Sequence, residues 1–268
     1  MPAGAVIKLS APATREYWEV PVVFEDEHLL ALDKPARLLS SPDRYDPQRP
    51  NLMRLLHDGI AQGAPWVKAR NLSYLANAHR LDFETSGVFL LAKTKPVLTA
   101  LANEFGSNKP IKTYVALTRG MPEQPEFTVD APIGHQTRQL GLMRIDTQGG
   151  KKSATDFKVQ EQFRGFTLLH CWPLTGRTHQ IRVHLRSVGL HILGDVDYGG
   201  APLYLSQIKR SYTPKFKEPE CPLMGRVALH AGQLEIQHPV TGSALAITAE
   251  WPKDLRVSVK YLRQFSGL

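Results

Sequence analysis

Cysteine is scarce in this 268-residue chain: only Cys171 and Cys221 occur, and there is no Cys-x-x-Cys pair. That argues against a disulfide scaffold and against a zinc site of the usual spacing. Nowhere do about 18 apolar residues run together, so no membrane-spanning helix is expected. The first twenty residues, MPAGAVIKLSAPATREYWEV, lack a basic segment followed by an apolar run. No secretory signal is read there, and a cytoplasmic location is the default. Internal repeats are absent. Acidic residues are outnumbered, 25 against 33 basic, for a formal net charge of +8 and a sequence pI of about 9.5. Such a balance belongs either to a solvated basic surface or to a protein with a polyanionic partner. A pI above about 9 is one footprint of nucleic-acid binding, although net charge says nothing about fold.

What is present reads as alternating short strands and helices. Residues 1–18 form an arm without a strong period. Two apolar runs, near Val20–Phe24 and Leu29–Asp33, flank Glu25-Asp26-Glu27-His28 and read as a hairpin closed by Lys34-Pro35. RPNLMRLLHDGIAQG places Leu52, Leu55, Leu56 and Ile60 on one helix face and stops at Gly63. SGVFLLAKT is apolar on both faces, as in a central buried strand. PVLTALANEFGSN is a second amphipathic helix. IKTYVALTRG and GFTLLHCWPL are strands, and THQIRVHLRSVG is a helix ended by Gly189. The steps lack a strict βαβ rhythm. They imply an α+β fold with a mixed, mostly antiparallel sheet and flanking helices. Residues 199–225 are rich in proline and lysine and weakly periodic, which suggests a long basic surface excursion. With no clean linker, residues 19–268 are expected to form one compact catalytic domain.

Three stretches carry chemistry. In HRLDFETSG, Asp82 stands at the mouth of the buried strand. A carboxylate among apolar neighbours needs a partner or takes up a proton, although an Asx-type turn would also place an acid there. In LTGRTHQIRVHLRSVG, Arg177, Arg182 and Arg186 lie close to His179 and His184. Arg182 and Arg186 are four apart, on one helix face. His179 and His184 are five apart, which is not the spacing of a zinc helix. Arg177 precedes the helix, where a cation gains nothing from the dipole, so it is better suited to meet an acid or a phosphate. In IKTYVALTRG, Lys112 and Tyr114 point to the same strand face. A cation beside an amphipathic ring suits a nucleotide, and equally an edge strand with a snorkelling lysine.

Together these stretches resemble the RluA-type pseudouridine synthase family. The match comprises His79-Arg80-Leu81-Asp82 with Thr85-Ser86-Gly87, then Lys112-x-Tyr114-x-Ala116, then Gly176-Arg177-Thr178-His179-Gln180-Ile181-Arg182-Val183-His184. EDEHLLALDKPARLLSSP, ILGDVDYGG and ALHAGQLEIQHPVTG are similar to three further motifs of the family, in order, over about Val22 to Trp251. The resemblance implies the pseudouridine synthase fold, with a central active-site cleft. It implies isomerisation of uridine in ribosomal or transfer RNA to pseudouridine, with no cofactor and no metal. Asp82 matches the catalytic aspartate and Arg177 the arginine that pairs with it. Tyr114 matches the tyrosine that packs on the target base. Arg80 matches the arginine able to take the place of the flipped-out nucleotide. His79, Lys112, His179 and Arg182 complete the expected RNA-binding set.

Two departures stand out. Arg37 occupies a position where the family usually has glycine, and Gly189-Leu190-His191-Ile192 replaces the usual Gly-His-Pro-Ile. Only about twenty residues precede the first motif, so an N-terminal S4-type RNA-binding domain is not expected, and residues 199–225 are the candidate for extra grip. The expected protein is a monomer that binds RNA and no membrane. An aspartate suits the chemistry in either of two ways: attack on C1′, or removal of the C2′ proton. A catalytically inactive RNA-binding protein of the same fold is the alternative, and the intact Asp82, Tyr114 and Arg177 argue against it. A glycosidase or phosphatase would want a second acid or a metal set near Asp82, and Glu84 is the only close carboxylate.

Overall fold

The computed structural model describes residues 5–43, 46–137, 139–213 and 219–268. The chain begins with β1 (Val6–Ala11), β2 (Glu16–Glu25), β3 (Leu29–Lys34), α1 (Leu52–Ala61), the one-turn α2 (Pro65–Lys68), β4 (Ala76–Asn77), β5 (Ser86–Ala92) and α3 (Lys95–Gly106). It continues through β6 (Ile111–Arg119), β7 (Glu126–Asp130), β8 (Ile133–His135), β9 (Met143–Ile145), β10 (Ala154–Phe163) and β11 (Phe166–Pro173). It ends with α4 (Gln180–Ser187), β12 (His191–Ile192), α5 (Leu205–Ile208), β13 (Leu229–Gln237), β14 (Ala244–Thr248) and α6 (Lys253–Phe265). Two compact units result. One is Met1–Lys112 with Ala231–Glu250, and the other is Thr113–His230 with Trp251–Leu268. From sequence one unit is expected. Two of the three divisions fall inside the uninterrupted strands β6 and β13, where no change of composition marks them, and the third lies between β14 and α6.

The first unit is built on the order β1-β2-β3-β5-β13, with β14 on β13 and β4 on β5. The ladders β1–β2, β2–β3, β3–β5 and β13–β14 are antiparallel. All seven residues of β5 are buried, as its continuous apolar run requires. Leu29, Ala31, Val88, Leu90 and Ala92 pack with Val97 and Leu101 of α3 and with Leu234, Ile236 and Ile247. Helix α1 starts where Asn51 Oδ1 accepts the Arg54 N–H at 2.9 Å, satisfying one of the free donors of the first turn. Gly87 marks a close backbone approach. Its φ is +118°, and a Cβ there would lie 2.2 Å from the Ala231 carbonyl oxygen. That is why the Thr-Ser-Gly at the head of β5 ends in glycine.

The second unit carries the antiparallel order β6-β11-β10-β7, with β12 on β6, and a separate β8–β9 ribbon. Leu117, Leu168, Leu169 and Phe157 of its strands bury against Leu185 of α4 and against Leu255, Val259 and Leu262 of α6. Strand β10 and helix α6 are not among the elements read from the sequence. Nor is the order in residues 1–18, where Val6–Ala11 pairs with Glu16–Pro21 as a hairpin and Ile7 and Leu9 are buried. The 199–225 excursion is anchored at its stem. Leu203 pairs with Met224, and both are fully buried, with Ile208 close to it. Its lysines at 215 and 217 lie outside the described residues. The Gly189 turn forms without its proline: Gly189 takes φ +76°, and the Leu190 N–H reaches the Leu185 carbonyl at 2.9 Å. Among the described residues no helix is long and apolar enough to cross a membrane.

Candidate active site

The loop from His79 to Thr85 leads into β5 and carries Arg80 and Asp82. Arg80 is exposed and Asp82 half-buried. A turn closes behind the aspartate, the Thr85 N–H donating to the Asp82 carbonyl at 3.2 Å. Within this unit, and among the described residues, the Asp82 carboxylate accepts no hydrogen bond and joins no ion pair. Its backbone neighbours are held tightly instead. Ser40 Oγ donates to the Leu81 carbonyl at 2.7 Å and accepts the Leu81 N–H at 3.0 Å. The Arg37 N–H donates to the Phe83 carbonyl at 2.7 Å. Arg37 has φ +61°, the left-handed region that favours glycine. The first loop therefore keeps a glycine-type turn with an arginine in it. The Arg37 side chain lies 3.5 Å from Glu84, and the Arg49 guanidinium sits 4.0 Å over the Phe83 ring.

His79 is a structural ring. Its Nε2 accepts the Leu90 N–H at 2.9 Å, and it stacks on Phe105 with centroids 4.9 Å apart. Desolvation first, and the Lys112 charge second, push the imidazole down to about 3. It is a neutral acceptor with its proton on Nδ1. Lys112 is half-buried, and desolvation lowers its ammonium below the ordinary lysine range.

In the second unit the Gly176-Arg177 turn is clamped by Gln180, the first residue of α4. Gln180 Oε1 accepts Thr175 Oγ1 at 2.7 Å and the Arg177 N–H at 3.0 Å. Its Nε2 donates to the Ala154 carbonyl and to Thr155 Oγ1. One buried amide thus uses its donor and acceptor ends to fix the loop bearing Arg177. The Arg177 guanidinium is exposed, with Nε on the Lys152 carbonyl at 3.1 Å. His179 takes φ +55° at the helix start, and its Nδ1 lies 2.7 Å from Tyr198 Oη. Arg182 turns inward. It meets Asp195 through two bonds of 2.7 Å, reaches Asp197 at 3.1 Å, and lies over the Tyr198 ring at 4.6 Å. The face shared by Arg182 and Arg186 is therefore not a uniform solvated face: Arg182 is buried and Arg186 exposed. Tyr114, half-buried on β6, is paired with Cys171 of β11.

Of the residues expected from sequence, His79, Arg80, Asp82 and Lys112 belong to the first unit, and Tyr114, Arg177, His179 and Arg182 to the second. Ser40, Lys34 and Gln180 were not among them. The signal for Lys34 was its place in an apolar strand. Ser40 and Gln180 lie within the quoted motifs, but their roles depend on partners 41 residues away for Ser40 and on both the Thr175-Arg177 turn and strand β10 for Gln180.

An antiparallel α+β scaffold that holds one aspartate by its backbone and exposes arginines at its loops is suited to an anionic ligand. The comparisons make that class specific. The family model described as RNA pseudouridylate synthase matches residues 28–187. The chain is 33% identical over 261 residues to ribosomal large subunit pseudouridine synthase D of Zymomonas mobilis, covering 96% of this chain and 77% of that one. It is 33% identical over 244 residues to ribosomal large subunit pseudouridine synthase C of Escherichia coli, covering 90% and 70%. Among solved structures, human RNA pseudouridylate synthase domain containing 4 superposes with a TM-score of 0.70 at 25% identity, over 90% of this chain and 92% of that one. The chain belongs to the RNA pseudouridylate synthase family, enzymes that isomerise uridine in RNA to pseudouridine.

Proposed function

We propose that this protein isomerises uridine in ribosomal RNA of the large subunit, with Asp82 as the catalytic carboxylate. The observation that carries the reading is the treatment of Asp82. Its flanking backbone is pinned at Leu81 and Phe83 while, among the described residues of its own unit, its carboxylate meets no partner. A half-buried carboxylate held in place by its backbone, with its oxygens open to solvent, can meet a substrate. The names of the relatives support ribosomal RNA as the substrate.

The isomerisation breaks the N1–C1′ bond of uridine and joins C5 to C1′. One proton leaves C5 and N1 ends protonated, so nothing is oxidised and no group is lost. Asp82 serves either as nucleophile at C1′ or as base at C2′. The target base leaves the stack first, at a cost of a few kcal/mol, and exposed Arg80 fills the gap. By the family resemblance, Tyr114 is the residue that packs on the free base and Arg177 the arginine that pairs with the catalytic aspartate. Lys112 lies on the same strand as Tyr114 and meets the RNA backbone. His79, His179 and Arg182 support the RNA-binding loops through their internal partners.

The test is to incubate the purified protein with large-subunit ribosomal RNA transcribed without modification and to map pseudouridine by carbodiimide adducts and reverse transcription. Stops at one or a few uridines are the expected result. No stop on ribosomal RNA, with stops on transfer RNA, would overturn the choice of substrate.

A further inference from the structure

The loop carrying Arg80 and Asp82 has no regular secondary structure. Loops of that kind move, and a displacement of about 1 Å at a reacting group can cost about a hundredfold in rate. We propose that the segment Lys34–Ser41 is a splint for this loop, and that Ser40 and Lys34 are positioning residues for Asp82. The proposal rests on the reading of Asp82 as the catalytic carboxylate.

Three rungs join the splint to the loop. Asn77 Nδ2 donates to the His79 carbonyl at 2.8 Å and reaches Ser41 Oγ at 3.4 Å. Ser40 Oγ makes its two bonds to Leu81. The Arg37 N–H makes the third, to Phe83. The second and third rungs fall on the residues immediately before and after Asp82. Ser40 is only 3% exposed and Leu81 5%, so water does not replace these bonds. On the far side of the loop, the Leu90 N–H of β5 fixes His79.

The splint is itself anchored at two points. The N–H groups of Leu52 and Met53, which have no partner within the first turn of a helix, donate to the Leu39 and Ser40 carbonyls at 2.8 and 3.1 Å. The start of α1 thus sets the height of Ser40. At the other end, Lys34 is wholly buried, and its Nζ donates to the Pro35 and Leu38 carbonyls at 2.8 and 2.7 Å. A buried ammonium bent back onto its own loop closes that loop into one conformation. It does for residues 35–38 what a ladder does for a strand. Both groups act on Asp82 through the backbone and neither is required to touch RNA.

The test is single-turnover and steady-state kinetics of Ser40→Ala on the RNA modified by the wild type, with hydrogen exchange of residues 79–84. We expect kcat to fall about tenfold to a hundredfold while KM for RNA stays within about twofold. Exchange should rise at Leu81. Ser40→Thr, which keeps the hydroxyl, should recover most of the rate. Should Ser40→Ala fail to fold, Asn77→Ala removes the outer rung and should show the same pattern at smaller size. A folded Ser40→Ala with wild-type kcat, or one altered only in KM, overturns the splint. A wild-type protein with no turnover on any RNA overturns the reading of Asp82 instead.

Discussion

Acidification should weaken the first unit through one imidazole. His79 Nε2 accepts the Leu90 N–H at 2.9 Å, and the ring is packed on Phe105 and Phe89. Protonation would place a donor against a donor in a desolvated slot, near the Lys112 charge. The folded ring consequently stays neutral down to about 3, whereas an unfolded histidine titrates near 6.5. Between those values the unfolded state binds the extra proton. Stability is therefore complete above about pH 6.5 and is lost as pH falls toward 3. Over the fall from 6.5 to 5.0 the loss is about 2 kcal/mol. His170 and His184 are also lowered by desolvation and act with the same sign, so a comparison is needed to isolate His79. Urea unfolding of wild type and His79→Gln at pH 7.5 and pH 5.0 supplies it. Glutamine keeps an acceptor but does not titrate. The variant is expected to be less stable at both pH values and to lose about 2 kcal/mol less on acidification. An equal loss in both proteins would refute the assignment of a neutral, buried acceptor.

Gly87→Ala should destabilise by about 3 kcal/mol, since its Cβ meets the Ala231 backbone and its φ is left-handed. The melting temperature should drop by roughly 6–12 °C, and a change within about 1 °C would contradict the close approach. Arg182→Met strands Asp195, which is 1% exposed, and should cost about 3–5 kcal/mol. Denaturant midpoints check this, and a companion Asp195→Leu change should restore much of the loss. RNA affinity should fall with salt, with log K against log salt sloping by about −3 to −5 for four to six phosphate contacts. A slope near zero in filter binding would remove RNA as the partner.

The sequence carries the helices and buried strands where a short-range pattern determines them. Helix α1 shows its apolar face and its Asn51 cap within ten residues, and β5 is an unbroken apolar run. Strand β1 hides only Ile7 and Leu9, too few for a period to stand out. Strand β10 hides Thr155 as well as Phe157, and that threonine is buried because Gln180 and His184 reach it from another element. The division into two units runs through β6 and β13 at two of its three points, where it leaves no mark in composition.

At the site, residue types were legible and their orientations were not. Asp82 and the arginines follow from motif and charge. That Arg182 faces inward depends on Asp195, 13 residues away, and spacing alone puts it on the same face as the exposed Arg186. That Arg37 keeps a glycine conformation depends on the bond from its N–H to Phe83. Neither relation is written in local periodicity.

The most direct measurement of the central claim is turnover of Asp82→Asn. Asparagine keeps the shape of the side chain, so the loop and its hydrogen bonds should persist and RNA binding should stay within about twofold. Without a carboxylate there is neither a nucleophile for C1′ nor a base for C2′. Mass spectrometry of digested RNA should then find no pseudouridine above background, while wild type converts the same RNA to completion. A variant that forms pseudouridine at the wild-type rate would contradict the account.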